Sequence, residues 1–437
     1  MRNVTLTYKK LCFLLIMLVS LGGANFLAIN MSFFQLSLYR IVLLITISAL
    51  FCGCWKYGYR GIRNSFSRYS VAFLICWLGW AIFSLGWAVD LTSWFKAVFF
   101  LGCAAACTLI FVYTMRDFND IRICFKCFLG VGLIHSMIGV SEIISGHYFF
   151  KDELTSKALA KDRMPVSNLG AVNEFATYIF ILFFITLALM QHAKTKAEKM
   201  IYTAFLYIAA VLIVFSSSRA NMIALLIAVF IYLCSTKNIK VVILGAGMAV
   251  IGLGFIQLAL QVDIWSVIQT KIINILKTLD FTSTKESMGI RKSLLYSGLD
   301  FIKRTCGMGV GAGNIEYWLR YKNTVDVSKI YNIHNWWAEI AVSYGVGIFT
   351  AYILFYIGLI YSSYKAKVQA HDKKLKNFYS AILSCEVGFI VASVSGSTLI
   401  SAEWLWVFWS VIITMQNIGN GVCSNQNKSA RKINYEN

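Results

Sequence analysis

An all-α polytopic membrane protein is what this sequence predicts, on three observations. Of the 437 residues, 58% are apolar and only 14% charged, where a soluble chain would carry about 25% charge. The apolar residues gather in runs of about 20, the length a helix needs to cross a bilayer. Short basic segments separate the runs. Pro165 is the one proline, so breaks in helices must come from Gly, Ser or polar turns.

Taken in order, Lys9 and Lys10 precede a run from Leu11 to about Ile29. Apolar segments continue throughout, so this reads as a retained first helix and not a signal peptide. The second span runs from about Phe33 to Trp55, with Arg40 near its outer end, and a basic loop follows with Lys56, Arg60, Arg63 and Arg68. Spans three and four cover about Ser70–Val89 and Ser93–Met115. Span five, about Cys127–Ser145, leads into a polar loop ending near Asn168, and span six covers about Leu169–Gln191. The stretch Ile201–Ser235 is too long for one upright span. Its interruption at Ser216-Ser217-Ser218-Arg219-Ala220-Asn221 predicts two short helices around a polar turn. Span nine is about Val241–Leu260, and spans ten to twelve are about Trp336–Tyr361, Phe378–Val394 and Leu399–Gln416. The domain reading is therefore nine helices in residues 1–260, an extracytoplasmic loop at 261–335, three helices at 336–416 and a tail at 417–437.

Charge orients this frame. One set of alternate connections, in seven short segments including both termini, holds 23 Lys/Arg, and the other holds 17, ten of them between residues 261 and 334. Lys/Arg bias in short loops marks the cytoplasmic side, and long translocated loops largely escape it. Both termini are thus expected in the cytoplasm and the long loop outside. The net charge of +20 would suggest nucleic acid in a soluble protein. Distributed over interhelical loops it points instead to membrane lipids and anionic lipid-linked substrates. The cysteines lie almost wholly in apolar segments and read as packing; Cys124 and Cys127 lack a second pair or a His nearby.

The long loop is the only extended polar interval, and such loops are usually functional. Ile264–Leu279 and Arg291–Arg304 read as amphipathic helices at the membrane surface, the second with Leu294, Leu295, Leu299 and Ile302 on its apolar side. Gly309-Val310-Gly311-Ala312-Gly313-Asn314 lacks the preceding strand and following Lys of a phosphate loop and reads as a tight turn allowing close backbone approach. Arg219, inside apolar sequence, needs water, headgroups or a partner, and its planar fork suits phosphate. His334, where the loop re-enters the membrane beside Asn335, Trp336 and Trp337, is a candidate general base; the Trp pair suits an interfacial belt.

The order Trp87-Ala88-Val89-Asp90, Arg163-Met164-Pro165…Asn168…Asn173-Glu174-Phe175-Ala176, Ser218-Arg219-Ala220, Arg291, Gly309–Asn314 and His334-Asn335 resembles the O-antigen ligase/polymerase family. The His334–Glu339 version is similar to members from Gram-positive surface-polysaccharide loci, including teichuronic acid and capsule polymerases. The 163–168 stretch departs from the family pattern, which has Gly near Val166–Ser167. The resemblance implies a metal-independent, cofactor-free glycosyltransferase of GT-C type in the bacterial cytoplasmic membrane. Its donor would be a glycan on undecaprenyl diphosphate, with a chain-length regulator and a flippase as partners. Carried over, Arg219 and Arg291 would hold the diphosphate and His334 would deprotonate the acceptor hydroxyl. Arg163, Asn173, Gly309, Gly311, Gly313 and Asn335 would be substrate-binding. A polymerase is the first expectation, a ligase to a lipid A core or cell-wall acceptor the second. A transporter or flippase coupled through Glu142, Glu174, Glu339, Glu386 or Glu403 is the third.

Overall fold

The computed structural model describes residues 2–21, 28–30, 35–57, 62, 65–236, 269, 288–323, 325, 327, 329–396 and 399–418. The expected span Val241–Leu260, the surface helix Ile264–Leu279 and the tail beyond 418 lie outside the described residues. Helix α1 (Arg2–Ser20) is followed by a two-residue antiparallel bridge, Ile29–Asn30 with Gln35–Leu36, and by α2 (Leu38–Tyr57). Then come α3 (Ser65–Phe83), α4 (Leu91–Thr114), α5 (Phe118–Ser145), the short α6 (Glu153–Asp162), α7 (Val172–Met190), α8 (Lys196–Phe215) and α9 (Arg219–Thr236). After the undescribed stretch follow α10 (Met288–Arg304), α11 (Ile315–Tyr321), α12 (Trp336–Gln369), α13 (Lys373–Ala392) and α14 at 403–418.

Among the described residues, eight helices are long and apolar enough to cross a membrane: α3, α4, α5, α7, α8, α9, α12 and α13. The protein is an all-α polytopic membrane protein. The interruption at Ser216–Ser218 does split 196–236 into two helices. Ser216 Oγ donates back to the Ile213 carbonyl and accepts from the Ser218 N–H, while Ser217 takes φ 56°. Hydroxyl back-bonding followed by a left-handed residue is how a helix stops without glycine.

Helix α7 is apolar all round and lies at the centre, buried along nearly its whole length from Phe175 to Leu189, as a helix with no polar face must. It packs on α5, α8 and α13, and α13 in turn packs on α9 and α12. The α13–α9 contact is close because it uses small residues: a side chain on Gly388 would meet Ala228 Cβ at 2.7 Å. Van der Waals packing of small residues is the main source of helix attraction inside a bilayer.

Several polar groups inside the bundle are paired. Arg40 Nε donates to Glu403 Oε1 at 2.8 Å with both side chains buried, the guanidinium also reaching the Gln35 carbonyl and the rings of Phe99 and Phe100. His135 bridges Ser167 Oγ (2.8 Å) and the Ser20 carbonyl. The 164–171 stretch, expected as a polar loop up to Asn168, instead tucks into the bundle at Pro165, Val166, Ser167 and Leu169, where Glu142 Oε2 accepts from the N–H groups of Val166 and Ser167. Trp336 is not at an interface either. It is buried against Trp77, Tyr352 and Trp406, its indole N–H donating to Tyr352.

Residues 290–342 outside the bundle enclose a second, smaller apolar core built on Leu294, Phe301, Val310, Leu319, Ile333 and Val342. The apolar face of α10 differs from the one expected. Leu294 and Phe301 point inward, whereas Leu295 and Leu299 are exposed. The reason is Gly298, whose missing side chain lets α10 cross α12 with Val342 Cγ2 only 2.9 Å from where a Cβ would sit.

Candidate functional site at the seam between cap and bundle

Where the small core rests on the bundle, Arg291 lies within electrostatic reach of both Arg219 and His334. Arg291 lies three residues before Leu294 and seven before Gly298, so its 3.6-residue periodicity puts it on the packed face of α10. Arg219 is the first residue of α9, where the positive end of the helix dipole adds to its charge. His334 immediately precedes Asn335, whose side chain caps α12 by accepting from Trp337 and Ala338 N–H groups. That is ordinary N-cap chemistry.

His334 is held in an unusual backbone conformation, φ 53°, which non-glycine residues seldom adopt. Its N–H donates to Asn332 Oδ1. On one side Ile333 is buried in the small core, and on the other Trp336 is buried in the bundle. The chain is therefore anchored on both sides of His334, and the imidazole is left at the seam, partly exposed.

Electrostatics tie the three together. Burial, and then the nearby charge of Arg219, lower the Arg291 pKa. Burial, and then the charge of Arg291, hold the His334 imidazole below its ordinary 6.5. Among the described residues no carboxylate forms an ion pair with Arg219, Arg291 or His334. A half-buried guanidinium, Arg291, that is repelled by the exposed Arg219 and has no carboxylate ion-pair partner is a place an anion would complete.

A buried polar chain supports Arg219. Thr177 on α7 donates to Asn221 Oδ1 at 3.2 Å, and Asn221 Nδ2 donates to Ser218 Oγ at 2.9 Å. Asn173 lies one turn before Thr177, and its carbonyl accepts that same hydroxyl. Asn221 and Thr177 carried no signal in the sequence beyond being polar residues in apolar runs.

The other expected substrate contacts have structural employment. Arg163 Nη1 donates to the carbonyls of Ile143 and Ile144 and so closes the C-terminus of α5. Gly309, Gly311 and Gly313 all take positive φ, 84°, 95° and 69°. The backbone approach they permit is to the protein itself: a Cβ on Gly309 would sit 2.5 Å from Gly345 N, one on Gly311 3.4 Å from Ala88, and one on Gly313 against the Ser93 carbonyl. Asn314 completes this docking, accepting from Val89 and Asp90 N–H groups at 2.9 and 2.7 Å. The glycine turn thus packs closely against the protein itself. Asn335 likewise spends its side-chain oxygen on the α12 cap.

The chain is similar to known proteins over this region. Residues 203–356 match the family model described as O-antigen ligase (Wzy_C), a segment that takes in α8, α9, α10, the glycine turn and the first half of α12. The chain is also 26% identical over 424 residues to the teichuronic acid biosynthesis protein TuaE of Bacillus subtilis (strain 168), a match covering 94% of this chain and 84% of that protein. The matched segment contains Arg219, Arg291 and His334, and over it the chain is similar to the O-antigen ligase family.

Proposed function

We propose that the protein is a membrane glycosyltransferase of surface-polysaccharide biosynthesis, acting as a polymerase at the outer face of the cytoplasmic membrane. The donor is glycan on undecaprenyl diphosphate and the acceptor is a sugar hydroxyl of another lipid-linked repeat unit. The observation that supports this reading is Arg291, without a carboxylate ion-pair partner among the described residues and within electrostatic reach of both Arg219 and His334. His334 takes the proton of the acceptor hydroxyl as its oxygen bonds to the anomeric carbon. The anomeric carbon–phosphate oxygen bond breaks, and undecaprenyl diphosphate leaves. The two guanidiniums stabilise the charge growing on that leaving group, the role of fixed electrostatic donors in catalysis.

A ligase that moves finished glycan to a different acceptor is the second reading, favoured by the description of the matched family. Transport is disfavoured by the carboxylates themselves. Glu142, Glu174, Glu386 and Glu403 accept bonds from Val166 and Ser167, from Trp404 and Gly170, from Ser363 and from Arg40. Reconstitution with lipid-diphosphate-linked repeat unit as sole glycan separates the readings. A ladder of products supports the polymerase, and product only after a second acceptor is supplied supports the ligase. Counterflow of labelled substrate without new glycosidic bonds would overturn both.

A further inference from the structure

Helix α12 is broken at Gly345, where φ is 84° and ψ 174°. A break inside a membrane helix frees backbone groups that nothing in lipid can satisfy. Here four of them find partners. The carbonyls of Val342 and Ser343 accept from Val310 and Gly311 N–H at 2.8 and 3.1 Å, and the Val346 N–H donates to the Gly307 carbonyl at 2.9 Å. The Tyr344 carbonyl accepts from the Trp80 indole N–H at 2.8 Å. The glycine turn after α10 is therefore inserted into the gap in α12.

The fit is mutual. A Cβ on Gly309 would lie 2.5 Å from Gly345 N and 2.8 Å from Ser343 O, and one on Gly345 would meet the Gly307 carbonyl and lie 2.6 Å from the Met308 carbonyl carbon. The segment 336–344 before the break is shared between cores. Trp336, Ile340 and Tyr344 belong to the bundle, while Val342 belongs to the small core with Leu294 and Ile333. This segment starts directly after His334, and the turn plugged into its far end follows directly from the helix that carries Arg291.

We propose that Gly309 and Gly345, with Trp80, are positioning residues: they lock the glycine turn into the α12 break and so fix Arg291 against His334. The lock touches neither donor nor acceptor and acts only through the spacing of the two catalytic side chains. It rests on the reading of His334 as the base. The charged groups on the elements around that imidazole are Arg291 on α10, Arg219 at the start of α9 and Glu339 in the first turn of α12. Loosening the lock lets Arg291 move away and relieves the imidazole of its nearest positive charge.

The test is the pH profile of kcat/KM for glycan transfer by the full-length protein in proteoliposomes, since its acid limb reports the free enzyme's base. Trp80→Phe keeps an aromatic side chain and removes the indole N–H together with the five-membered ring, so it carries the test where Gly345→Ala does not insert. Gly347→Ala, whose Cβ meets nothing within 4 Å, is the control expected to match the wild type. Both lock variants should lower plateau kcat/KM, about tenfold or more for Gly345→Ala, and move the acid limb upward toward 6.5, the ordinary value. For Trp80→Phe the shift should be smaller and in the same direction. A wild-type acid limb in both variants, with or without loss of rate, overturns the lock. An acid limb that survives His334→Ala overturns the assignment of the base instead.

Discussion

The buried ion pair Arg40–Glu403 yields the most quantitative prediction. Both side chains are 2–3% exposed, the N···O distance is 2.8 Å, and the pair ties α2 to α14. Removing one partner of a buried pair costs about 3–5 kcal/mol, because the other charge is left uncompensated. The two ends are not equivalent. After Glu403→Met the guanidinium keeps its charge, since arginine does not deprotonate in proteins. Its residual partners are one backbone carbonyl and two phenyl rings, so the full loss of about 3–5 kcal/mol is expected. After Arg40→Met the carboxyl can discharge by taking a proton, and the loss should be nearer about 1–3 kcal/mol, the penalty of a buried unsatisfied neutral group. The double Met variant removes both charges at similar volume and should fall within about 1 kcal/mol of the wild type. Unfolding in mixed micelles, followed by circular dichroism against denaturing-detergent fraction, gives the cycle. Additive single losses, or Arg40→Met more damaging than Glu403→Met, would refute this account of the pair.

Three further outcomes are expected. Asn314→Ala strands the part-buried Val89 and Asp90 N–H groups and should destabilise the protein by about 1–3 kcal/mol, since partial access to solvent offsets part of the loss, measured by the same titration. Gly313→Ala forces a Cβ against the Ser93 carbonyl, 2.7 Å from its carbon, at φ 69°, and should reduce the yield of folded, detergent-extracted protein severalfold. Transfer should depend on neutral His334, so kcat/KM rises with pH and reaches half its plateau below pH 6.5. Arg291→Gln, which removes the charge holding that pKa down, should lower the rate and move the limb upward.

The bundle was legible because bilayer length and apolar runs leave little choice of structure. The Ser216–Ser218 break was legible too, since polar residues at that density cannot continue through lipid. The meeting of Arg219 and Arg291 was not derivable from spacing, because 72 residues separate them in sequence; it entered only through family resemblance. The glycine turn was read correctly as needing close backbone approach, but its partner, Gly345, is one glycine in a long apolar run and carries no local signature. The 164–171 stretch misled for a related reason. Its polar composition suggests solvent, yet Ser167 is consumed by His135 and its N–H by Glu142, partners that lie 32 and 25 residues away and are apparent only in three dimensions. The exposed Leu295 and Leu299 show the limit of a helical wheel, which finds an apolar arc but not the glycine that decides where the neighbour crosses.

The most direct measurement of the central claim is release of undecaprenyl diphosphate from lipid-linked repeat units by reconstituted wild-type and His334→Ala protein, with Arg219→Ala alongside. The account predicts that both variants insert and remain folded, that His334→Ala still binds the lipid-linked donor, and that neither releases lipid diphosphate or extends glycan at more than about a hundredth of the wild-type rate. Wild-type polymer length and yield from His334→Ala would contradict it.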